Sequence, residues 1–243
     1  MQNTLENQVA VITGAGGGIG RAVVAALAAQ KMKLVLLGGN NQEKLQNSCA
    51  IAEKFSPALM LPGDLTNPEF LSAAVQKAVE TFGGIDVLIN NAGVAQNTPF
   101  EDISLDEFER IMAINFKVPF MLTQEVLPYL KKSAAATVIN IASVVAHAGY
   151  PQQSIYTASK HALLGMTKSL AREYYQQNIR VHAICPGGVY TDMVKISRPD
   201  LSPEGMIMPE EIADILLFLL QHRGNAVIDE ILVHRMNKEP FLV

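Results

Sequence analysis

A β-branched run that ends at a cluster of glycines and reopens as an alanine-rich helix leaves a chain few ways to fold. Val9-Ala-Val-Ile-Thr13 ends at Gly14-Ala-Gly-Gly-Gly-Ile-Gly20, and Arg21 to Gln30 follows with helical character. The glycines allow a turn too tight for a Cβ, and the helix must then pack back on the sheet that the strand has just joined. The alternation recurs. Leu34 to Leu37 precedes a helix near Gln42 to Lys54, Ala58 to Leu61 precedes Pro68 to Thr81, and Ile85 to Asn90 precedes helical segments running through Leu130. Ala136 to Ile141, Arg180 to Ile184 and Glu230 to His234 read as three further strands, and the Tyr156 region as the helix after the fifth. Strands separated by helices need parallel crossovers, so the expected class is α/β. The helix near Pro209 to Gln221 is marked at both ends: Pro209, Glu210 and Glu211 suit its positive end, His222 and Arg223 its negative end, and Gly224 its stop.

The chain has 243 residues, 49% of them hydrophobic and 17% charged, enough for one α/β domain with a substantial core. Net charge is −4, with Lys and Arg scattered, so no electrostatic footprint for nucleic acid or an anionic membrane is expected and the partner is a small molecule. Cys49 and Cys185 lie far apart without CxxC or CxxxH spacing, which suggests neither a metal site nor a disulfide framework and fits a reducing cytoplasm. Met1 to Gln8 is polar, and the most apolar later run, Ile212 to Leu220, is short and contains Asp214; neither reads as a secretory or spanning segment.

Gly14, Gly18 and Gly20 form a G-x-x-x-G-x-G turn where helix N–H groups can face a pyrophosphate. Asp64-Leu65 follows the third strand, where the carboxylate could accept from an adenine amino group or cap the helix at Asn67-Pro68. Asn90-Asn91-Ala92-Gly93 closes the fourth strand, as a ligand-binding loop or simply as a turn. Tyr156 and Lys160 are four residues apart on a helix, hence on one face, and a neighbouring ammonium would favour the phenolate. Alone, that pair also fits an ordinary solvated helix.

Taken together, Thr13-Gly14-x-x-x-Gly18-x-Gly20, Asp64, Asn90-Asn91-Ala-Gly93, Asn115, Ser143, Tyr156-x-x-x-Lys160 and Pro186-Gly187 resemble the short-chain dehydrogenase/reductases, in that family's order and over nearly the whole chain. The thirteen residues from Ser143 to Tyr156 are the family's usual interval. The resemblance implies a doubly wound, Rossmann-type sheet of seven parallel strands with helices on both faces, in one domain spanning 1–243. It implies an NAD(P)(H)-dependent oxidoreductase that moves a hydride between nicotinamide and a carbonyl or secondary alcohol. Tyr156 would be the general acid/base, Lys160 would depress its pKa and hold the nicotinamide ribose, Ser143 would polarise the substrate oxygen, and Asn115 would hold a water leading from Lys160 to solvent. Expected cofactor contacts are Gly14, Gly18, Ile19, Gly20, Gly39, Asn40, Asp64, Leu65, Asn91, Ala92, Gly93, Tyr156, Lys160, Pro186, Gly187, Val189 and Thr191. The alternative is a cofactor-binding regulator or scaffold on the same fold without turnover.

The departures carry expectations too. His182 and Cys185 replace the family's more frequent residues and read as packing variants, and Ile228 to Met236 lacks the usual Val-Asp-Gly-Gly close. The stretch 191–208 would be a short lid with Met193, Val194, Ile196, Met206, Ile207 and Met208 over an apolar part of the substrate, with Val145, His147, Tyr150 and Val189 as further pocket walls. At the end of the second strand, about twenty residues past the glycine turn, a carboxylate would select NAD. Gly39 stands there instead, with Asn40 and Gly17 where relatives carry basic residues. Neutral donors from Asn40, Asn41 and the turn therefore point to a modest preference for NADP(H) over NAD(H). A homo-oligomer, a tetramer, is expected from the apolar positions Ala162, Leu163, Leu164, Met166 and Leu170 and from the apolar tail Pro240-Phe-Leu-Val243.

Overall fold

The computed structural model describes residues 4–39, 41–197 and 202–239, without the side chains of Ile196 and Ser197. Seven parallel strands, β1 (Val9–Thr13), β2 (Lys33–Gly38), β3 (Ala58–Pro62), β4 (Val87–Asn90), β5 (Thr137–Ile141), β6 (Arg180–Pro186) and β7 (Glu230–Val233), form one sheet in the order β3-β2-β1-β4-β5-β6-β7. The order reverses between β1 and β4, so the chain winds outward in both directions from the first strand. The principal helices are α1 (Gly18–Ala29), α2 (Gln42–Ala52), α3 (Pro68–Phe82), α4 (Leu105–Met112), α5 (Val118–Leu130), α6 (Ser154–Tyr174), α7 (Asp192–Ser197) and α8 (Pro209–Gln221).

Alternate residues of each strand serve the two faces. Ala10, Ile12, Leu34, Leu36 and Ile89 pack with Val23, Val24 and Leu27 of α1 and with Ile212, Leu216 and Leu220 of α8. Val9, Val11, Val35, Leu88 and Val138 pack on the opposite face with Leu71 and Val75 of α3 and Leu122 and Val126 of α5. Each such valine, leucine or isoleucine contributes roughly 1.5–3 kcal/mol when buried, so the central strands need no polar alternation to be held.

Boundaries shift for identifiable reasons. α1 begins at Gly18, so the glycine turn runs into the first helical turn instead of ending before Arg21. β4 starts at Val87 rather than Ile85, and Asp86 marks the junction, its carboxylate accepting from the Val9 N–H at 2.8 Å and from Ser133 Oγ at 2.5 Å. Between α4 and α5 the chain makes a π-helical turn, Ala113–Lys117, with Val118 N–H donating to Ala113 O. Pro119 has no N–H to offer the Asn115 carbonyl one turn back, which accounts for the wider turn there.

Candidate active site

A cleft of about 500 Å³ opens over the C-terminal ends of the strands, where β1 and β4 part. Gly14, Gly18, Ile19, Gly20, Gly39, Asp64, Leu65, Asn91, Ala92, Gly93, Tyr156, Lys160, Pro186, Gly187, Val189 and Thr191 all line it, as does Ser143. Asn40 lies outside the described residues. Asn115 is fully buried behind the wall. Val145, His147 and Tyr150 are not among the lining residues: Val145 is buried, and His147 turns to Glu230.

The floor is backbone. Gly14 has φ +64°, and a Cβ on Gly20 would stand 2.2 Å from the Gly14 carbonyl. Gly17, the N-cap of α1, offers no side chain to the first N–H groups of the helix, and no acidic residue occupies the first turn. Uncapped N–H groups facing a cleft fit the pyrophosphate of a dinucleotide. Asn91 braces the turn by donating Nδ2 to the carbonyls of Thr13 (3.0 Å) and Gly14 (3.1 Å), while Thr13 Oγ1 accepts from the N–H groups of Asn91 and Ala92, both at 3.0 Å. Asp64 accepts from the N–H and hydroxyl of Thr66, which hold its carboxyl below the usual range, while Asn67 caps α3.

α6 carries Tyr156 and Lys160 on one face, and remote side chains set its position. Gln96 Oε1 accepts from the N–H groups of Ile155 (2.9 Å) and Tyr156 (3.2 Å), satisfying two donors at the helix start. Asn115 Nδ2 donates to Ser159 Oγ at 3.1 Å and to Val94 O at 3.0 Å, and Asn115 Oδ1 accepts from Val94 N–H at 2.8 Å. A buried chain runs from Asn90 Nδ2 to Asn140 Oδ1 and from Asn140 Nδ2 to Thr167 Oγ1, each at 2.8 Å, tying β4, β5 and α6 together.

Lys160 Nζ donates to Ile141 O at 2.9 Å and lies 5.8 Å from the centre of the Tyr156 ring. Burial lowers the Lys160 pKa to about 8. For Tyr156 the net direction reverses the expectation from spacing: burial raises the phenol above its ordinary value, and the hydrogen bond with Ser143 offsets this only in part. Ser143 Oγ also accepts from Val145 N–H and donates to Pro186 O, both at 3.3 Å, so it caps a short 3₁₀ turn, Val144–Ala146, while reaching the phenol. A protonated phenol, a hydroxyl and an ammonium on one wall can deliver a proton to an oxygen held between the first two.

The short chain dehydrogenase family model matches residues 8–202. The chain belongs to the short-chain dehydrogenase family. Among curated relatives of this dehydrogenase, a 3-oxoacyl-[acyl-carrier-protein] reductase of Thermotoga maritima is 34% identical over 242 residues, covering 94% of this chain and 96% of the relative. A 3alpha-hydroxysteroid dehydrogenase of Mediterraneibacter gnavus is 35% identical over 239 residues, covering 94% and 95%. Among solved structures, levodione reductase superposes with a TM-score of 0.87 at 31% identity, covering 94% of this chain and 96% of its own. A short chain dehydrogenase from Mycobacterium paratuberculosis bound to NAD gives 0.86 at 26% identity, covering 95% and 97%. This dehydrogenase is an NAD(P)-dependent oxidoreductase acting on carbonyl or alcohol substrates, which sets aside the reading as a scaffold without turnover.

Lys44 was not anticipated among the dehydrogenase's cleft residues. It lies in the first turns of α2, lines the cleft beside Gly39 and Asn41, and pairs with Asp192 of α7 at 2.5 Å. Its spacing from the glycine turn matches no motif; only the packing of α2 against Gly16 brings it to the cleft. Gln96, Asn140 and Thr167 were likewise missed, each being one polar residue in an otherwise ordinary segment.

Proposed function

We propose that this enzyme reduces a ketone with an apolar body, and oxidises the matching secondary alcohol, with Tyr156 as the proton donor and acceptor. The observation that carries the reading is the convergence of Ser143, Tyr156 and Lys160 on one wall of the glycine-floored cleft, with the phenol held protonated at neutral pH. The nicotinamide, when bound, supplies or takes the hydride. Ser143 orients the substrate oxygen by turning its hydroxyl proton from Pro186 O to that oxygen, where negative charge grows during reduction. Tyr156 delivers its proton to the same atom, and in oxidation takes one back. Lys160 holds the ribose and stabilises the phenolate left after transfer. Asn115 acts chiefly through position, since both N–H groups of its amide are engaged with Val94 and Ser159; the proton path would use the main chain loosened by the π-helical turn.

The lid would be the stretch 191–208, of which 198–201 lie outside the described residues. Its return is fastened to the sheet end, with Tyr190 N–H donating to Ile207 O at 2.8 Å and Ile207 N–H to Gly188 O at 3.1 Å. Met193, Val194 and Val189 line the cleft, which supports an apolar substrate body. The relatives named for 3-oxoacyl and 3alpha-hydroxysteroid chemistry support the same class.

Tyr156→Phe should bind dinucleotide normally while turnover falls by about a hundredfold or more, the usual worth of a positioned proton donor. Stopped-flow binding and steady-state rates with NADPH and a ketone panel measure both; unchanged turnover would remove Tyr156 from this role.

For the cofactor we favour NADP(H). The cleft holds no carboxylate at Gly39, and Lys44 beside that position, on leaving its exposed pair with Asp192, would supply the positive charge that the neutral asparagines lacked. Open space surrounds the Cβ position of Gly39, so Gly39→Asp introduces repulsion without a clash. Both Gly39→Asp and Lys44→Ala should shift the kcat/KM ratio toward NADH by on the order of tenfold, as the loss of one charge-assisted contact implies. A wild-type enzyme already tenfold better with NADH would refute the preference.

A further inference from the structure

Three side chains that the hydride reaction does not use meet beside the active-site wall. Ala183 of β6 pairs with Glu230 of β7, so Cys185, two residues further along β6, projects from the same face of the sheet as Glu230. His147 reaches the pair from the end of the Val144–Ala146 turn. Its Nε2 and the Cys185 Sγ both face Glu230 Oε1, the sulfur at 3.4 Å, while Glu230 Oε2 lies 3.8 Å from Lys168 Nζ. The imidazole nitrogen, the thiol sulfur and a carboxylate oxygen all lie within 4.8 Å of one another.

We propose that His147, Cys185 and Glu230 form a zinc-type metal site. An imidazole, a thiolate and a carboxylate make a borderline-soft donor set, matched to zinc or cobalt rather than to magnesium or calcium. Bond lengths in a tetrahedral zinc site put neighbouring ligand atoms roughly 3.3–3.6 Å apart, a span that Cys185 and Glu230 already have. His147, partly exposed, needs only to back away from the carboxylate. Thiolate and carboxylate together carry two negative charges, which one divalent cation neutralises; the cysteine proton leaves to solvent on binding. Three protein ligands leave a fourth position for water. The ion would staple the loop that begins at Ser143 to the strand that ends at Pro186, so it would brace the substrate side of the cleft without touching substrate.

The test uses the full-length, untagged protein after chelation, titrated with Co²⁺. One equivalent should bind, with thiolate-to-cobalt charge-transfer absorption in the near ultraviolet and visible bands of tetrahedral intensity, and Zn²⁺ should displace it. Cys185→Ala should abolish the charge-transfer band, whereas Cys49→Ala should keep it. Glu230→Gln, which preserves shape, should weaken cobalt binding at least tenfold. Zinc at about a hundredfold excess over its Kd should raise Tm by roughly 5–10 °C. Absence of the thiolate band at stoichiometric cobalt, its survival in Cys185→Ala, or unchanged affinity in Glu230→Gln would overturn the site.

Discussion

Lys160 shows how one buried residue links pH to stability and function. Its ammonium is almost wholly enclosed, and burial holds its pKa at about 8, against 10.5 for an ordinary lysine. Between these values the unfolded chain keeps a proton that the folded chain has released, so through this group stability rises with pH across that window. Below about pH 8 both states are charged and the full cost of burial is present. The stability difference between wild type and Lys160→Met should therefore move in favour of the wild type by about 3 kcal/mol between pH 8 and 10.5, at 1.36 kcal/mol per pKa unit. Denaturant melts of both cofactor-free proteins would measure it, and a difference flat with pH would mean that another group titrates. Dinucleotide affinity should weaken as pH rises through about 8, where the folded protein loses this ammonium. Tyr156 runs the other way: with its pKa raised, reduction should stay level through neutral pH and fall only in alkali, while alcohol oxidation should gain as pH rises.

Among the elements, α6 is placed by polar contacts as much as by apolar ones. Leu163 and Leu164 pack inside the monomer with Ala142, Ala183 and Cys185, so less of the helix's apolar surface is left for a partner than the sequence suggests. Its register depends on Gln96 at the start, Asn115 against Ser159, and Asn140 against Thr167. A buried donor left poorly partnered costs roughly 1–3 kcal/mol, so Asn140→Ala, which leaves Asn90 Nδ2 only its 3.4 Å contact with Thr123 Oγ1 while Thr167 keeps its bond to Leu163 O, should lose about that much. It should also lower kcat more than it weakens cofactor binding, since Tyr156 moves with the helix while the glycine floor does not. Urea denaturation and single-turnover rates check the two parts. Stability near that of the wild type would show that water replaces the lost amide.

For the whole molecule, we propose a homotetramer. The tail Pro240–Val243 lies outside the described residues, but α4, α5 and the 3₁₀ turn Phe100–Asp102 before them leave Phe100 75%, Leu105 78%, Phe108 41% and Phe120 44% exposed. Exposed apolar side chains of that size on α4, α5 and the turn before them favour a contact between copies. Light scattering at micromolar protein should give about four times the chain mass, and Leu105→Glu with Phe108→Glu should lower it. A wild-type monomer would refute the assembly. Among the described residues no helix is long and apolar enough to cross a membrane.

Whatever depended on local chemistry was legible in the sequence. The strand runs, the glycine turn, the N-terminal capping of α8 and the one-turn spacing of Tyr156 and Lys160 are set by neighbours within a few residues, and periodicity reports such features directly. Arg223, expected at the other end of α8, turns to Ala136, Thr137 and Asn178 instead. The family pattern added the doubly wound seven-stranded sheet and the roles of the site residues. What only the tertiary structure decided lies between residues far apart in the chain, whose meeting depends on strand register and crossover geometry. Lys44 comes to Asp192, Gln96 to the start of α6, and Asn140 to Thr167. The direction of the Tyr156 shift belongs here too: spacing records the nearby ammonium but not the burial that outweighs it. His147, Cys185 and Glu230 carry no local metal spacing, and they meet because parallel pairing puts Cys185 and Glu230 on one face of adjacent strands and the turn after Ser143 folds His147 over them.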